Sequence, residues 1–216
     1  MLLQIRTKAP ALLRFYNGLT RNEELRPSDL IFVFAGKMER KQYGLDLYRE
    51  NFAPRLLLGV GRYEISRMAT AGFNFAEELI ALRDRTVPKQ RHFFVEIDRT
   101  GAHIERPSLP VWNTYGEVLG LRRYLAGDSA TRVIIVSTDI HLRRIAVTIE
   151  NVFKGSLLDF RYCPVPSSHS SLSRAGWWSR REDRSFVFSE SVKLLAYRAI
   201  FLMPGPAVRF LMRLKR

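Results

Sequence analysis

The chain reads as an α/β fold: a Rossmann-like parallel sheet of about five strands flanked by helices, with a C-terminal helical extension. Three observations predict this. Short apolar runs rich in β-formers alternate with segments of helical spacing from Asp29 to Cys163. The clearest run, Val133-Ile-Ile-Val-Ser, passes straight into a helix-like segment carrying Thr138, His141 and Arg144. Glycines and polar residues follow the ends of the other runs, and ligands in an open α/β sheet sit outside the carboxyl ends of the strands.

In chain order, residues 1–28 make an N-terminal helical segment. Leu30 to Phe34 is the first strand, ended by Gly36, and Tyr43 to Tyr48 has helical spacing with Leu45, Leu47 and Tyr48 facing inward. Pro54 breaks that helix, and Arg55 to Leu58 starts a second strand that Gly59 and Gly61 end. A helical stretch from Glu64 to Arg85, with a break near Gly72, leads to a third strand at Phe93 to Ile97. Asp98 to Trp112, with Gly101, Pro107 and Pro110, reads as an ordered loop. Asn113 or Thr114 caps the next helix, Glu117 stands at capping-box distance from Thr114, and Gly127-Asp128-Ser129 closes it. After the Val133 strand comes a helix to about Phe153, then a fifth strand at Leu157 to Cys163. Alternation of this kind implies right-handed parallel crossovers. Pro164 to Ser173 is rich in Pro and Ser, as flexible or lid-like loops are. A helix from Phe186 to Met203 completes a single domain over residues 29–203, and residues 204–216 form a basic amphipathic tail.

Composition narrows the function classes. A chain of 216 residues with 46% hydrophobic content is long enough for a full core. The net charge of +14 points to an anionic partner: a phosphorylated small molecule, acidic lipid or nucleic acid. Solvated surface arginine would explain the same figure. One cysteine, Cys163, excludes an internal disulfide, and four scattered histidines lack the spacing of a zinc site. Neither a signal peptide nor a membrane-spanning segment is visible, since Arg6, Lys8, Pro10 and Arg14 interrupt one candidate and Lys193, Arg198 and Pro204 the other. The expected location is cytoplasmic, with peripheral contact at the inner face of the membrane. No cofactor is indicated.

Four clusters converge on one edge of a parallel sheet. They are Gly36 with Lys37 and Arg40; Gly59, Gly61, Arg62 and Glu64; Asn113 and Thr114; and Ser137, Thr138, His141 and Arg144. Glycines let backbone N–H groups approach a ligand, and arginine offers a planar fork to phosphate. Hydroxyls of Thr114, Ser137 and Thr138 can donate to phosphate oxygens, and His141, with an unperturbed pKa near neutral, can move a proton. Glu64 is a second acid–base group. Duller readings stand beside these. Gly59-Val60-Gly61 lacks the third glycine of a dinucleotide fingerprint and suits a tight turn, Thr114 and Glu117 suit a cap, and His141 suits a core. Neither a nucleophile elbow nor a P-loop occurs. Trp177-Trp178 beside Arg180, Arg181 and Arg184 suits stacking on a base, a lipid interface, or a packed flap over the sheet edge.

These clusters resemble the ElyC/SanA/YdcF family of bacterial proteins over roughly Asp29 to Tyr197. The strand Val133 to Val136, the hydroxyl pair Ser137-Thr138 and the His141-x-x-Arg144 step are similar to the family's corresponding segment. Gly36, Arg40 and Leu47-Tyr48 look like its first loop and helix, Thr114 like its recurrent threonine, and Glu190 like a late acidic position. The chain departs from it in Ala35-Gly36, Gly59-Val60-Gly61 and Gly116-Glu117. The resemblance implies a Rossmann-like domain in envelope metabolism, acting on peptidoglycan or its lipid carrier. Two functional expectations follow. One is binding and transformation of a small phosphate-bearing ligand, by a transferase or hydrolase. The other is a non-catalytic basic module docking on acidic membrane through Val208, Phe210, Leu211 and Leu214 beside Arg209, Arg213, Lys215 and Arg216. Nucleic acid is the weaker partner, because no helix-turn-helix, zinc-finger or RNA-recognition signature is present.

Overall fold

The computed structural model describes residues 2–107, 109 and 113–214. It holds one six-stranded sheet with helices on both faces. Helix α1 (Leu2–Asn17) precedes β1 (Leu30–Val33), α2 (Met38–Arg49) and β2 (Leu56–Gly61). Helices α3 (Ile65–Thr70) and α4 (Ala76–Asp84) lead to β3 (His92–Asp98) and β4 (Gly101–Glu105). Then come α5 (Thr114–Leu125), β5 (Arg132–Ser137), α6 (Asp139–Val152), β6 (Asp159–Pro164), α7 (Arg181–Phe201) and α8 (Gly205–Leu214).

Strand order is β4-β3-β2-β1-β5-β6, with β2, β1, β5 and β6 mutually parallel. The chain leaves β1 toward β2 and later returns to the other side of β1 through β5. Right-handed crossovers in opposite directions put their helices on opposite faces. Accordingly α2, α3 and α4 cover the face of Ile31, Val33, Leu56 and Leu58, while α5 to α8 cover that of Leu30, Phe32, Ile135 and Phe94. The all-buried runs of β1 and β5 are what two covered faces require. The reversal of strand order leaves a crevice between the carboxyl ends of β1 and β5, the switch point of an open α/β sheet.

Two expectations are corrected. The third strand is antiparallel to β2, not parallel, and the loop expected after Asp98 begins with a sixth strand, β4. Asp98 Oδ1 accepts the N–H groups of Thr100 and Gly101 at 2.7 and 3.2 Å, closing a tight hairpin. Beyond it, the alternately exposed run Gly101–Glu105 pairs with β3 as an edge strand. The end of that expected loop, Pro110 to Trp112, lies outside the described residues. The Glu64–Arg85 stretch is two helices, with Gly72 at φ +76° between them.

A third apolar cluster joins α1 to α6 and α7 through Tyr16, Ile140, Val187 and Trp177. Trp177 Nε1 donates to the Leu12 carbonyl at 3.3 Å, so this tryptophan is part of the packing. Of the expected tail, Val208 and Met212 are buried in the main core, which turns that side of α8 inward. The tail cations Lys215 and Arg216 lie outside the described residues. No helix among the described residues is long and apolar enough to cross a membrane.

Candidate functional site

Arg40, one turn into α2, bridges the switch-point crevice. Its Nη1 donates to the Ala35 carbonyl after β1 at 2.6 Å, and its Nη2 to Thr138 Oγ1 after β5 at 2.9 Å. Lys41, fully buried beside it, donates to the Phe34 carbonyl at 3.2 Å and pairs with Glu64 Oε1. Glu64 Oε2 in turn accepts Gly61 N–H at 2.8 Å. Glu117, from the first turn of α5, accepts Ala35 N–H at 2.8 Å and lies 3.8 Å from His92 Nε2. Glu117 therefore closes no capping box. The cap of α5 is Asn113, whose side chain accepts Gly116 N–H at 3.1 Å.

The glycines have a local reason. A Cβ on Gly36 would fall 2.8 Å from Arg40 Nη1, one on Gly59 2.9 Å from Glu117 Oε1, and one on Gly61 3.1 Å from Glu64 Oε2. Gly36 also has φ +134°, which side chains rarely adopt. The space beside each is filled by this chain's own charged side chain. Sequence reasoning assigned that space to a ligand because the partners are 4, 58 and 3 residues away, and only the fold brings Glu117 to Gly59.

On the α6 side, Arg144 Nε donates to Glu190 Oε2 of α7 at 3.0 Å, Nη2 reaches Glu190 Oε1 at 3.3 Å, and Nη1 donates to Thr114 Oγ1. Its guanidinium stands 5.2 Å from the Tyr197 ring centre. Lys193 donates to Glu190 Oε1 at 3.0 Å from the surface. His141 Nδ1 sits 2.8 Å from Arg144 Nη2 and 3.2 Å from Glu190 Oε2, with Nε2 3.5 Å from Thr114 Oγ1. A guanidinium only donates, so the shorter contact assigns Nδ1 as acceptor and the ring proton to Nε2. Ser137 Oγ and Arg40 Nε are buried without a hydrogen-bond partner.

Burial decides the protonation states. It pushes His141 down to about 3, helped by Arg144, so the ring is neutral near pH 7. His92 is pushed down to about 3 by burial and by Lys41. Burial also pushes Glu190 up, but the cations Arg144 and Lys193 outweigh it and hold the carboxyl below its usual range. Glu117 is raised to about 7, mainly by burial. The group that titrates near neutrality is therefore Glu117, not His141, whose ordinary pKa does not survive desolvation.

Of the expected residues, Gly36, Arg40, Gly59, Gly61, Glu64 and Thr138 lie in the network around the ends of β1 and β2, and Thr114, His141 and Arg144 in the neighbouring network with Glu190; Ser137 ends β5 beside them. Arg62 is joined to neither. It is exposed, stacks on Tyr63 with 4.3 Å to the ring centre, and lines a surface cavity of about 470 Å³ with Arg83, Asp84 and Arg91. Asn113 caps α5 and donates to the Met212 carbonyl at 3.3 Å. A second cavity, about 290 Å³, opens beside Arg122 and Phe153. Neither of these two cavities is lined by Arg40, His141, Arg144 or Glu190. Lys41 and His92 were missed by sequence reasoning; a Lys directly after Arg40 reads as ordinary helix surface.

No family model matches the chain, and neither a curated protein nor a solved structure matches it. Among the described residues, no group of three or more His, Cys, Asp or Glu could hold a metal ion.

Proposed function

We propose that this protein binds and transforms a small phosphate-bearing ligand at the β1–β5 switch point. One observation carries the reading: a buried cluster with formal charges Arg40, Lys41 and Arg144, edged by Lys193, faces three carboxylates, and one of these, Glu117, takes up a proton near neutrality. In formal charge the four cations outnumber the carboxylates of Glu64, Glu117 and Glu190 by one, and an anion would balance them. Ser137 Oγ and Arg40 Nε supply hydrogen-bonding capacity that no side chain uses.

In this reading Arg40 and Arg144 hold the phosphate, and Thr114, Ser137 and Thr138 donate to its oxygens. Neutral His141 accepts a proton at Nδ1 or releases one from Nε2. Glu64, tied to Lys41 and Gly61 N–H, keeps the first loop in place instead of moving a proton. The resemblance to the ElyC/SanA/YdcF family adds the ligand class: a phosphorylated intermediate of envelope assembly, peptidoglycan or its lipid carrier.

A thermal-shift panel tests this with nucleotide sugars, polyprenyl phosphate analogues, S-adenosylmethionine, inorganic phosphate and short oligonucleotides. Wild type, Arg144→Ala and Arg144→Lys are each compared with their own ligand-free melt. One small phosphorylated compound should stabilise wild type by about 3 kcal/mol at a hundredfold its Kd, and Arg144→Ala hardly at all. Equal shifts in all three proteins, or shifts with oligonucleotides alone, would refute the site and leave a diffuse basic surface.

A further inference from the structure

The outer face of α7 carries an apolar stripe that the fold does not use. Phe188, Val192, Leu195, Ala199 and Leu202 follow one another at steps of four, three, four and three residues, which places them on one side of a helix. Phe188, Leu195 and Leu202 are 70%, 65% and 89% exposed. The opposite side of the same helix is buried through Val187, Glu190, Leu194 and Tyr197. From Phe188 to the C-cap Leu202 the stripe runs fourteen residue steps, about 21 Å. Exposed apolar surface of such regularity marks an interaction site.

The charges along it select the partner. Arg181 and Arg184 precede the stripe on the same side, and Arg198 flanks it near the end; all three are exposed. Arg184 donates to the Trp178 carbonyl at 2.8 Å, and no carboxylate pairs with these arginines among the described residues. Of the acids in α7, Asp183 and Glu190 are buried on the inner side, and Glu182 is exposed away from the stripe. A second copy of the chain would set arginine against arginine in a molecule already at +14. A nucleic acid would leave the apolar side chains in water. We infer that the outer face of α7 docks on an anionic lipid surface, its apolar stripe at the level of the acyl chains and its arginines among the headgroups. This surface is separate from the strand-end cluster and does not depend on what binds there. It also differs from the tail expected to play this part, whose Val208 and Met212 face the core.

The test is co-sedimentation of the full chain with vesicles of phosphatidylcholine alone or with phosphatidylglycerol added, for wild type and for Phe188→Ser combined with Leu195→Ser. Both positions are exposed, so a thermal melt of the double variant should match wild type. Wild type should bind the anionic vesicles, and the double variant about tenfold or more weaker. In Phe188→Trp, fluorescence from the new indole should shift to the blue on the same vesicles. Three results would each overturn the inference: equal binding by the double variant, no binding of wild type, or a wild-type dimer that the double variant dissolves without vesicles.

Discussion

On the β2 side of the switch-point crevice Lys41, Glu64 and Glu117 are each held by groups of the chain. Lys41 pairs with Glu64, Glu64 takes Gly61 N–H, and Glu117 takes Ala35 N–H. On the α6 side the network is looser. Ser137 keeps a buried hydroxyl without a partner, His141 touches both a cation and a carboxylate, and Glu190 reaches out to Lys193 at the surface. The first half is built into the path of the chain, because its carboxylates sit where glycine Cβ atoms would be. The second half joins side chains of three helices that can exchange partners without moving a strand. Buried ion pairs contribute little net stability but are costly to break singly. The tight half therefore sets the geometry of β1 and β2, and the loose half is where the proposed ligand would have to compete.

The largest effect should come from the tight half. Lys41→Met removes the buried cation paired with Glu64, and denaturant unfolding should show a loss of about 3–5 kcal/mol. A loss below about 1 kcal/mol would mean that the pair does not organise the strand ends. Combining Lys41→Met with Glu64→Leu should recover much of the loss, since apolar replacement of a whole buried pair is near neutral.

Next in size is a pH effect at Glu117. Its folded pKa of about 7 lies above the unfolded value near 4.5, so between these limits the folded protein holds a proton that the unfolded chain has released. That contribution to stability is full below pH 4.5 and is lost as pH rises to about 7. Glu117→Gln should therefore gain on wild type across that window, by up to about 3 kcal/mol, in unfolding midpoints measured from pH 4 to 8. His92 and His141 act in the opposite sense: their folded pKa of about 3 makes stability rise with pH up to their unfolded value near 6.5. A flat difference between wild type and Glu117→Gln would place an ionised Glu117 inside the tight half.

The smallest effect should be at Arg62, outside both halves. Arg62→Ala should change stability by less than about 0.5 kcal/mol and leave phosphate-ligand affinity unchanged. If it weakens affinity as much as Arg144→Ala does, the ligand sits nearer the cavity of Arg83 and Arg91 than the crevice.

Much of the fold was legible in the residues. Runs such as Leu30 to Phe34 and Val133 to Val136 are apolar throughout because both faces of a central parallel strand are covered. The edge was harder. Gly101 to Glu105 alternates in exposure, but its glycine and the nearby prolines resemble loop punctuation, and nothing local sets β3 antiparallel. In the candidate site, the placement of Arg40, Thr138, His141 and Arg144 near the strand ends was legible because strand ends collect polar groups. Lys41, His92 and the inward turn of Glu117 were not, because a charged residue in a helix or strand looks the same on paper whether it faces water or a glycine gap.

By itself the sequence determined the α/β class, the order of most elements and the edge where polar residues collect, since periodicity and strand-end chemistry are local properties. Tertiary structure alone decided which charges meet, that His141 is neutral while Glu117 titrates near pH 7, and that α8 turns inward while α7 leaves a stripe outside. Partner choice and desolvation depend on groups distant in the chain, such as Gly59 and Glu117, and no local pattern encodes their distance.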